Sequence, residues 1–283
     1  MDIDLRVIRD LLETALREDI GSGDITSDSV VPADALASAT ILSKGDGIVA
    51  GLDVAGEVFR MLDPKVDFRK LVSDGEQIHQ GQDLAIAKGS ARPILTAERT
   101  ALNFLQRLSG IATMTSQYVR AASGYPVKII DTRKTTPGWR VLEKYAVRVG
   151  GGHNHRFGLY DAVLIKDNHI AAVGSIVDAV ARARERIPHT MTIEVEVKRM
   201  DQVPEAIRSG ADIIMLDNMD VDMMSQAVKL IGGKAVVEAS GGIRLEDIPA
   251  VAATGVDLIS IGALTNSAIA LDISMSISTL ERC

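Results

Sequence analysis

Residues 192–216 read TIEVEVKRMDQVPEAIRSGADIIML, and this stretch contains one complete strand–helix–strand repeat. Two short runs rich in Ile and Val, at 192–197 and 212–216, flank a stretch of helical character at 200–209. Gly210 stands just before the second run, where the end of a helix favours glycine. A short apolar strand, a helix and a second apolar strand in this order are typical of a parallel α/β sheet.

The same repeat recurs from residue 128 onward, about every 20 to 30 residues, which is the spacing of βα units. The predicted strands are 128–132 (KIIDT), 162–166 (AVLIK), 192–197, 212–216, 235–238 (AVVE) and 257–261 (DLISI). The predicted helices are 173–186, 200–209, 221–230 and 245–253. Six units are fewer than the eight of a complete barrel, so either further strands escape this pattern or the barrel is incomplete. An open doubly wound sheet remains the alternative.

The first half of the chain has a different pattern. Apolar residues recur at helical spacing from Leu5 to Leu16 and predict an amphipathic helix that ends near Gly21. Short β-prone runs separated by Gly and Asp fill residues 38–87 and predict strands joined by turns. Over 96–122 either one long helix or a helix broken at Gly110 is predicted. The N-terminal half is therefore predicted to be α+β.

Composition limits the possible functions. The 283 residues are 46% hydrophobic and 24% charged, as expected for a globular protein, while only 3% are aromatic, so small aliphatic side chains must fill the core. A net charge of -7 argues against nucleic acid or an anionic membrane as partner. Cys283 alone cannot form a cysteine zinc site or an internal disulfide. An acidic N-terminus and no apolar run of membrane-spanning length predict a cytoplasmic protein.

The net charge conceals a basic segment. Residues 128–166 contain eight Lys and Arg against three Asp and Glu, which gives +5 there and -12 for the remainder. A local excess of cations in a protein of negative overall charge favours a small anionic ligand over an extended polyanion.

Polar residues follow each predicted strand. Because the carboxyl ends of the strands of an α/β barrel converge on one face, these residues are predicted to form one site. Two loops carry glycines that allow backbone N–H groups to approach a phosphate, and the paired loops on the last two strands are typical of a barrel phosphate site. The residues concerned are Arg133, Lys134, Lys166, Glu194, Glu196, Asp217, Asn218, Ser240, Gly241, Gly242, Gly262, Ala263 and Leu264.

Other motifs are excluded. GGGHNHR, at 150–156, lacks the spacing of a dinucleotide-binding loop, and no phosphate-binding P-loop occurs. His153, His155 and His169 lack a carboxylate at helical spacing that would complete a metal site. Lys166, at the end of its strand, could have either of two roles. Its ammonium group could bind an anionic ligand, which the nearby arginines favour, or its amine could act as a Schiff-base nucleophile.

A longer match then identifies a family. Residues 131–170, DTRKTTPGWRVLEKYAVRVGGGHNHRFGLYDAVLIKDNHI, closely resemble the signature of the quinolinate phosphoribosyltransferases, also called carboxylating nicotinate-nucleotide pyrophosphorylases. The resemblance continues through EDIGSGDIT (18–26), TAERTALNFLQRLSGIAT (96–113), IEVEV, IIMLDN, EASGGI and IGALTNS, and so covers nearly the whole chain.

The resemblance implies an architecture. It implies an N-terminal α/β sandwich domain over 1–108, joined by a C-terminal helix at 270–283, and an incomplete α/β barrel of about seven parallel strands over 109–269. It also implies a homodimer with shared active sites, or a hexamer of such dimers, in which Arg99 is contributed across the interface.

The resemblance also implies a role for each site residue. The two carboxylates of quinolinate would be bound by Arg99, Arg133, His155 and Arg156, in a site that includes Thr132. Lys134 and Lys166 would bridge towards the phosphoribosyl donor, and the backbone around Ser240–Gly242 and Gly262–Leu264 would cradle its 5′-phosphate. Glu196 and Asp217 would hold ribose hydroxyls and hydrated Mg²⁺. Glu194 and Glu196 are two residues apart and should face the same side of their strand, which leaves the choice between them open.

The implied reaction joins quinolinate to 5-phosphoribosyl 1-pyrophosphate and yields nicotinate mononucleotide, pyrophosphate and CO₂, a step of de novo NAD biosynthesis. Two alternatives remain. The molybdenum-transport-associated ModD proteins share the DTRKTTPG segment and the barrel, but Lys166 favours the quinolinate enzyme. A lyase that uses Lys166 as a Schiff-base nucleophile is the second alternative.

Overall fold

The computed structural model describes residues 4–279. The helices are α1 (Leu5–Ile20), α2 (Ile25–Val30), α3 (Leu52–Leu62), α4 (Ala91–Ala121), α5 (Arg140–Val149), α6 (Asp167–Val173), α7 (Ile176–Arg184), α8 (Val203–Arg208), α9 (Val221–Ile231), α10 (Ile248–Ala252) and α11 (Ala263–Asn266). The strands are β1 (Leu36–Ser43), β2 (Gly47–Ile48), β3 (Asp67–Lys70), β4 (Gln77–Ile78), β5 (Asp83–Ser90), β6 (Lys128–Ile130), β7 (Val163–Ile165), β8 (Ile193–Val197), β9 (Ile213–Asp217), β10 (Val236–Ser240), β11 (Leu258–Ser260) and β12 (Ile273–Thr279).

The chain forms two compact units. The first contains the residues up to 116, the segment Thr136–Gly151 and the residues from 267 onward, and the second contains Gln117–Thr135 and Gly152–Asn266. The resemblance assigned Thr136–Gly151 to the barrel domain, whereas this segment, which includes α5, packs within the first unit.

The first unit is built on an antiparallel sheet in the order β12-β1-β5-β3, accompanied by the small pair β2-β4. Strand β1 buries every second residue, so one face of the sheet enters the core. Asp4 caps the start of helix α1, and its side chain accepts a hydrogen bond from the backbone N–H of Arg6. It buries Ile8, Leu12 and Leu16, which lie four residues apart on one face.

The predicted C-terminal helix is wrong. Residues Ile273–Thr279 form β12, which pairs antiparallel with β1 from Ser43↔Ile273 to Ala37↔Thr279. The sequence ISMSIST alternates apolar residues with Ser or Thr, and this period of two suits a strand rather than a helix. Residues 280–283 of the predicted helix, including Cys283, lie outside the described residues.

Of the two alternatives for 96–122, the single long helix is confirmed, because α4 runs unbroken through Gly110. The glycine instead allows another backbone to approach: a Cβ atom at this position would lie 2.1 Å from the carbonyl oxygen of Ile269. The helix therefore needs Gly110 for packing and not as a break.

The second unit contains a parallel sheet in the order β6-β11-β10-β9-β8-β7. All six strands predicted from the sequence are present, and a one-residue parallel bridge between Ile130 and His153 extends the sheet beyond β6. The predicted helix 173–186 corresponds to α7, whose start is capped by Ser175, while the short helix α6 before it was not predicted. The predicted α/β fold with an incomplete barrel is confirmed.

Small aliphatic side chains fill the core, as the low aromatic content predicts. Phe59 and Phe104 are the only aromatic side chains among the largest fully buried ones of the described chain. Among residues 4–279, no helix combines the length and the apolar character needed to cross a membrane.

Candidate active site

The carboxyl ends of the parallel strands open into a cleft of about 550 Å³ in the second unit. Eleven of the fifteen substrate-binding residues named from the sequence line this cleft. Its lining consists of Thr132, Arg133, Lys134, His155, Arg156, Leu164, Lys166, Glu196, Met215, Asp217, Asn218, Glu238, Ser240, Gly241, Gly242 and Ser260.

The other four predicted residues lie elsewhere. Arg99 is exposed on α4 in the first unit and is not among the residues that line the cleft. Gly262 lies beside a lining residue, since a Cβ atom added to it would be 2.9 Å from Cδ of Lys134. Ala263 follows it, and the side chain of Leu264 is fully buried, so a contact with ligand from this loop must come from the backbone.

Lys166 and Glu196 form the central ion pair of the cleft. Lys166 directly follows β7, and its ammonium group hydrogen-bonds to Oε2 of Glu196 on β8. The Lys166 side chain is 45% exposed while that of Glu196 is 6% exposed, so the pair presents its cation to the cleft. Because the Lys166 nitrogen is already engaged by the Glu196 carboxylate, this geometry suits anion binding better than Schiff-base chemistry.

A second lysine, which the sequence prediction missed, lies beside this pair. Nζ of Lys198 is 4.0 Å from Oε1 of Glu196 and 2.7 Å from Oδ2 of Asp167. The hydrogen bond lowers the pKa of Asp167, with the backbone N–H of Asn168 contributing, and raises the pKa of Lys198. Its position just after β8 follows the same pattern that identified Lys166 and Asp217.

Glu194 and Glu196 have different neighbours although both are buried on β8. Glu196 faces Lys166 and lines the cleft, while Glu194 lies below and lines a second cavity of about 500 Å³. Oε2 of Glu194 is 3.0 Å from Nε2 of His155. The structure therefore places Glu196 at the predicted substrate site and Glu194 beneath it.

Two arginines line the cleft together with Lys134 and Lys166. Nη1 of Arg156 donates a hydrogen bond to the carbonyl oxygen of Ala162 at 2.9 Å. Burial lowers the pKa of Arg156, and the nearby charge of Arg133 lowers it further. Arg156 is partly buried and Arg133 is exposed, and the repulsion between their guanidinium groups is relieved when an anion binds between them.

Gly241 is required by close contact with the end of β9. It has a φ of 101°, and a Cβ atom here would lie 2.4 Å from Oδ1 and 2.8 Å from the backbone N of Asn218. The same Asn218 N–H donates to the carbonyl oxygen of Ser240 at 2.9 Å. The loop after β10 is therefore held against the loop after β9, with only glycine able to fit.

The turn that carries Lys134 is also fixed by hydrogen bonds. Its backbone N–H donates to Oγ1 of Thr132 at 3.0 Å, and its carbonyl oxygen accepts from Oγ1 of Thr265 at 2.8 Å. Thr265 is buried and was not predicted as a site residue, because nothing in its local sequence distinguishes it from a packing residue.

A buried acidic cluster lies at the floor of the cleft. Glu238 on β10 is fully buried, and burial followed by the charge of Glu194 raises its pKa to about 8, against an opposing effect of His155. Oε2 of Glu238 is 3.6 Å from Nε2 of His155. The sequence prediction missed Glu238 because it lies within the apolar run AVVE, which was interpreted only as a strand.

Glu238 is expected to make stability depend on pH. Between the ordinary glutamate pKa and about 8, the folded protein keeps a proton that the unfolded chain has lost, so the free energy of unfolding falls as pH rises. One such group contributes a slope of about 1.4 kcal/mol per pH unit in this window. Glu238→Gln is expected to reduce this fall, as measured by urea unfolding at pH 5.5 and 8.5. An unchanged fall would contradict it, and the exposed Glu246→Gln is the control.

The parallel α/β barrel and the cation-rich cleft at its strand ends define an anion-binding α/β-barrel enzyme. Comparisons with known proteins identify the family. The family model "Quinolinate phosphoribosyl transferase, N-terminal domain" matches residues 24–109, and the model of the C-terminal domain of the same family matches residues 111–276. The chain belongs to the quinolinate phosphoribosyl transferase family.

Curated relatives and solved structures support the same family. The chain is 48% identical over 280 residues to the "Probable nicotinate-nucleotide pyrophosphorylase [carboxylating]" of Bacillus subtilis, covering 98% of this chain and 96% of the relative. It is 46% identical to the protein of the same description from Synechocystis, covering 96% and 92%. The crystal structure of NadC from Streptococcus pyogenes is 45% identical, with a TM-score of 0.96 and coverage of 99% of this chain and 100% of that one.

Proposed function

We propose that the protein transfers the phosphoribosyl group of 5-phosphoribosyl 1-pyrophosphate to quinolinate, with loss of CO₂, to give nicotinate mononucleotide and pyrophosphate in NAD biosynthesis. The observation that carries this proposal is the placement of two adjacent arginines, Arg133 and Arg156, in one cleft with the Lys166–Glu196 pair. Such a cleft can bind a dianionic acceptor next to a phosphorylated sugar. Relatives described as carboxylating nicotinate-nucleotide pyrophosphorylases support it.

The acceptor is bound by its two carboxylates. Arg133 and Arg156 pair with them, which removes the repulsion between the two guanidinium groups and directs the ring nitrogen towards the ribose. The main contribution of the protein is to hold two anions together that repel each other in water. Bound in one site, the two substrates react at a high effective concentration.

The sugar donor is held by the remaining residues of the cleft. Lys134 and Lys166 would neutralise its phosphates, and backbone N–H groups of Gly241 and Gly242, which line the cleft, and of the loop after Gly262, which lies beside Lys134, would bind the 5′-phosphate. Glu196 and Asp217 accept hydrogen bonds from ribose hydroxyls and favour the positive charge that develops on the sugar.

The bond changes follow from this arrangement. Pyrophosphate leaves C1′ with the bonding electron pair, and the ring nitrogen of quinolinate donates its lone pair to form the new N–C1′ bond. When CO₂ leaves, the electron pair of the bond between C2 and its carboxylate stays on C2, and the adjacent positively charged nitrogen stabilises this carbanion. C2 then takes up a proton from water. The cations of Lys134 and Lys166 stabilise the pyrophosphate as it departs.

Glu196 and Asp217 also fit a hydrated magnesium ion. Both offer hard oxygen donors to the cleft, but Lys166 already occupies one oxygen of Glu196, so contact through water suits this pair better than direct coordination. Mg²⁺ bound with the donor supplies positive charge to the leaving pyrophosphate.

A single incubation tests the proposed reaction. The protein is mixed with Mg²⁺, the phosphoribosyl donor and either quinolinate or nicotinate. Formation of nicotinate mononucleotide from quinolinate, and not from nicotinate, is expected. If neither nicotinate mononucleotide nor CO₂ forms with quinolinate, the proposal fails. The predicted cytoplasmic location stays a prediction, which cell fractionation can check.

We further propose that the protein forms homodimers with shared active sites, alone or as a hexamer of dimers, and that Arg99 acts in the site of the partner subunit. Its exposure on α4, outside the residues that line the cleft, supports this proposal. Arg99→Ala and Lys134→Ala are each expected to lose most activity. Mixing the two inactive variants is expected to restore about a quarter of wild-type activity at most, since only some hybrid sites carry both residues.

Rescue in the mixture is measured after subunit exchange has been verified by native mass spectrometry. Each variant mixed with itself is the control, and these samples are expected to stay inactive. A mixture that exchanges subunits without regaining activity would show that the site is not shared in this way.

A further inference from the structure

The proposed reaction makes no use of the buried carboxylates at the floor of the cleft. Glu194 and Glu238 have side chains 4% and 1% exposed, and they approach the same His155 nitrogen from β8 and β10. Oε1 of Glu194 and both oxygens of Glu238 have no hydrogen-bond partner among residues 4–279. Burying two neighbouring carboxylates costs free energy, so their presence calls for a role.

The hydrogen bonds of His155 show what the cluster holds. Nδ1 of His155 accepts a hydrogen bond from the backbone N–H of Arg156 at 2.7 Å. Since Nδ1 is the acceptor, a neutral ring carries its proton on Nε2, which lies 3.0 Å from Oε2 of Glu194. Both ring nitrogens are thus engaged by the protein, which assigns to the ring a supporting role rather than direct contact with substrate.

The segment before Arg156 is fixed from a second side. Oδ1 of the buried Asp131 accepts from the backbone N–H of His155 at 2.8 Å, and Oδ2 accepts from Nδ2 of Asn154 at 2.6 Å. Asp131, just after β6, therefore holds the backbone immediately before Arg156, and Glu194 on β8 and Glu238 on β10 lie against the His155 ring in the same segment. A shift of the His155 ring would move the backbone of Arg156 and change the direction of its guanidinium group.

We propose that Glu238 is a positioning residue, which together with Glu194 fixes the His155 ring and thereby directs the Arg156 side chain towards a carboxylate of the acceptor. This inference rests on the proposed function, because it concerns the binding of quinolinate. Glu238 acts through its neighbours and does not itself touch the substrate.

The charge state of the cluster explains why two carboxylates can lie together. Glu238 faces Glu194 on β8, His155 on the preceding loop and the uncharged Ser260 on β11, while its register partner on β9 is Met215. Burial and the Glu194 charge favour a protonated Glu238 up to a pKa of about 8. A neutral Glu238 leaves Glu194 as the single anion that accepts from the imidazole. Ionisation of Glu238 would add a second charge and disturb the ring.

A divalent cation is the rival occupant of the cluster. The ligand atoms of His155, Glu194 and Glu238 all lie within 4.8 Å of one another. A metal on Nε2 would require the proton to move to Nδ1, which would then face the N–H of Arg156 donor to donor. The hydrogen bond at Nδ1 therefore favours a proton over a metal.

Steady-state kinetics of Glu238→Gln and Glu238→Leu in the full chain test this inference, with the exposed Glu246→Gln as control. Because Leu removes the polar group that lies 3.6 Å from Nε2 of His155, Glu238→Leu is expected to raise the KM for quinolinate about tenfold, while the KM for the phosphoribosyl donor changes less than about twofold. Gln keeps an uncharged donor group, so its KM for quinolinate is expected to stay near wild type. The wild-type KM is expected to rise above pH 8, and that of Glu238→Gln to stay level.

The outcomes separate this inference from the proposed function. A wild-type protein that does not turn over quinolinate defeats the function itself. An active wild type whose quinolinate KM follows the same pH profile as that of Glu238→Gln defeats the inference, even if Glu238→Leu fails to fold. Equal losses for both substrates in the Leu variant would indicate general structural damage and also overturn it. The inference would also be overturned if elemental analysis detected a stoichiometric metal in the wild-type protein and not in Glu238→Gln.

Discussion

Replacing Lys166 by Ala is expected to lower kcat/KM about 100- to 1,000-fold, which is the typical effect of removing one group that stabilises charge in a transition state. The Lys166 ammonium group neutralises Glu196 and presents positive charge to the cleft. Without it, the nearly buried Glu196 loses its hydrogen-bonded cation and keeps Lys198 at 4.0 Å. The leaving pyrophosphate would then meet an uncompensated carboxylate.

The matched control is Lys198→Ala, which removes an exposed lysine from the same neighbourhood. Since Lys198 pairs with the exposed Asp167, its loss is expected to reduce kcat/KM less than about tenfold. Initial rates of CO₂ release with both substrates varied measure the effect. Equal rates for wild type and Lys166→Ala would contradict the assigned role. A borohydride-trapped adduct on Lys166 would instead favour the Schiff-base alternative.

Gly110→Ala is expected to lower the free energy of unfolding by about 3 kcal/mol, the upper part of the usual range for overpacking. The added Cβ would lie 2.1 Å from the carbonyl oxygen of Ile269 and 3.0 Å from Cα of Ala270. Both contacts are with backbone, so no side-chain rotation can relieve them. The 267–270 segment, which leads into β12, would have to move away from α4.

The sign of this effect decides between two explanations of the glycine. If Gly110 made no close contact and only lowered the helix propensity of α4, Ala would stabilise the protein by about 0.5 to 1 kcal/mol. Urea unfolding of Gly110→Ala distinguishes the two cases. The exposed Gln117→Ala on the same helix is the control, and it is expected to change stability little.

Local periodicity was sufficient to find the barrel. Each of the six parallel strands contains a compact run of Val, Ile and Leu, and such runs are diagnostic when helices separate them. The error at β12 has a different origin. Its helix was expected from the family resemblance, whereas the residues themselves alternate at the period of a strand. There the local pattern was the better guide.

The cleft was predictable because its residues stand at strand ends. Arg133, Lys166 and Asp217 each follow an apolar run, and the geometry of a parallel barrel brings such positions together. The supporting contacts were not predictable in this way. Glu238 meets His155 only because strands far apart in sequence enclose the same interior, and no spacing along the chain encodes that contact. Resemblance named His155, and only coordinates show that both its ring nitrogens are engaged.

The central claim is that one cleft couples phosphoribosyl transfer to decarboxylation of quinolinate. Quinolinate labelled with ¹⁴C in the carboxylate on C2 is incubated with the protein, Mg²⁺ and the phosphoribosyl donor, and labelled CO₂ and nicotinate mononucleotide are both quantified. The account predicts equal amounts of the two products and no labelled CO₂ when the donor is omitted. Labelled CO₂ without the donor, or a nucleotide product that retains the label, would contradict it.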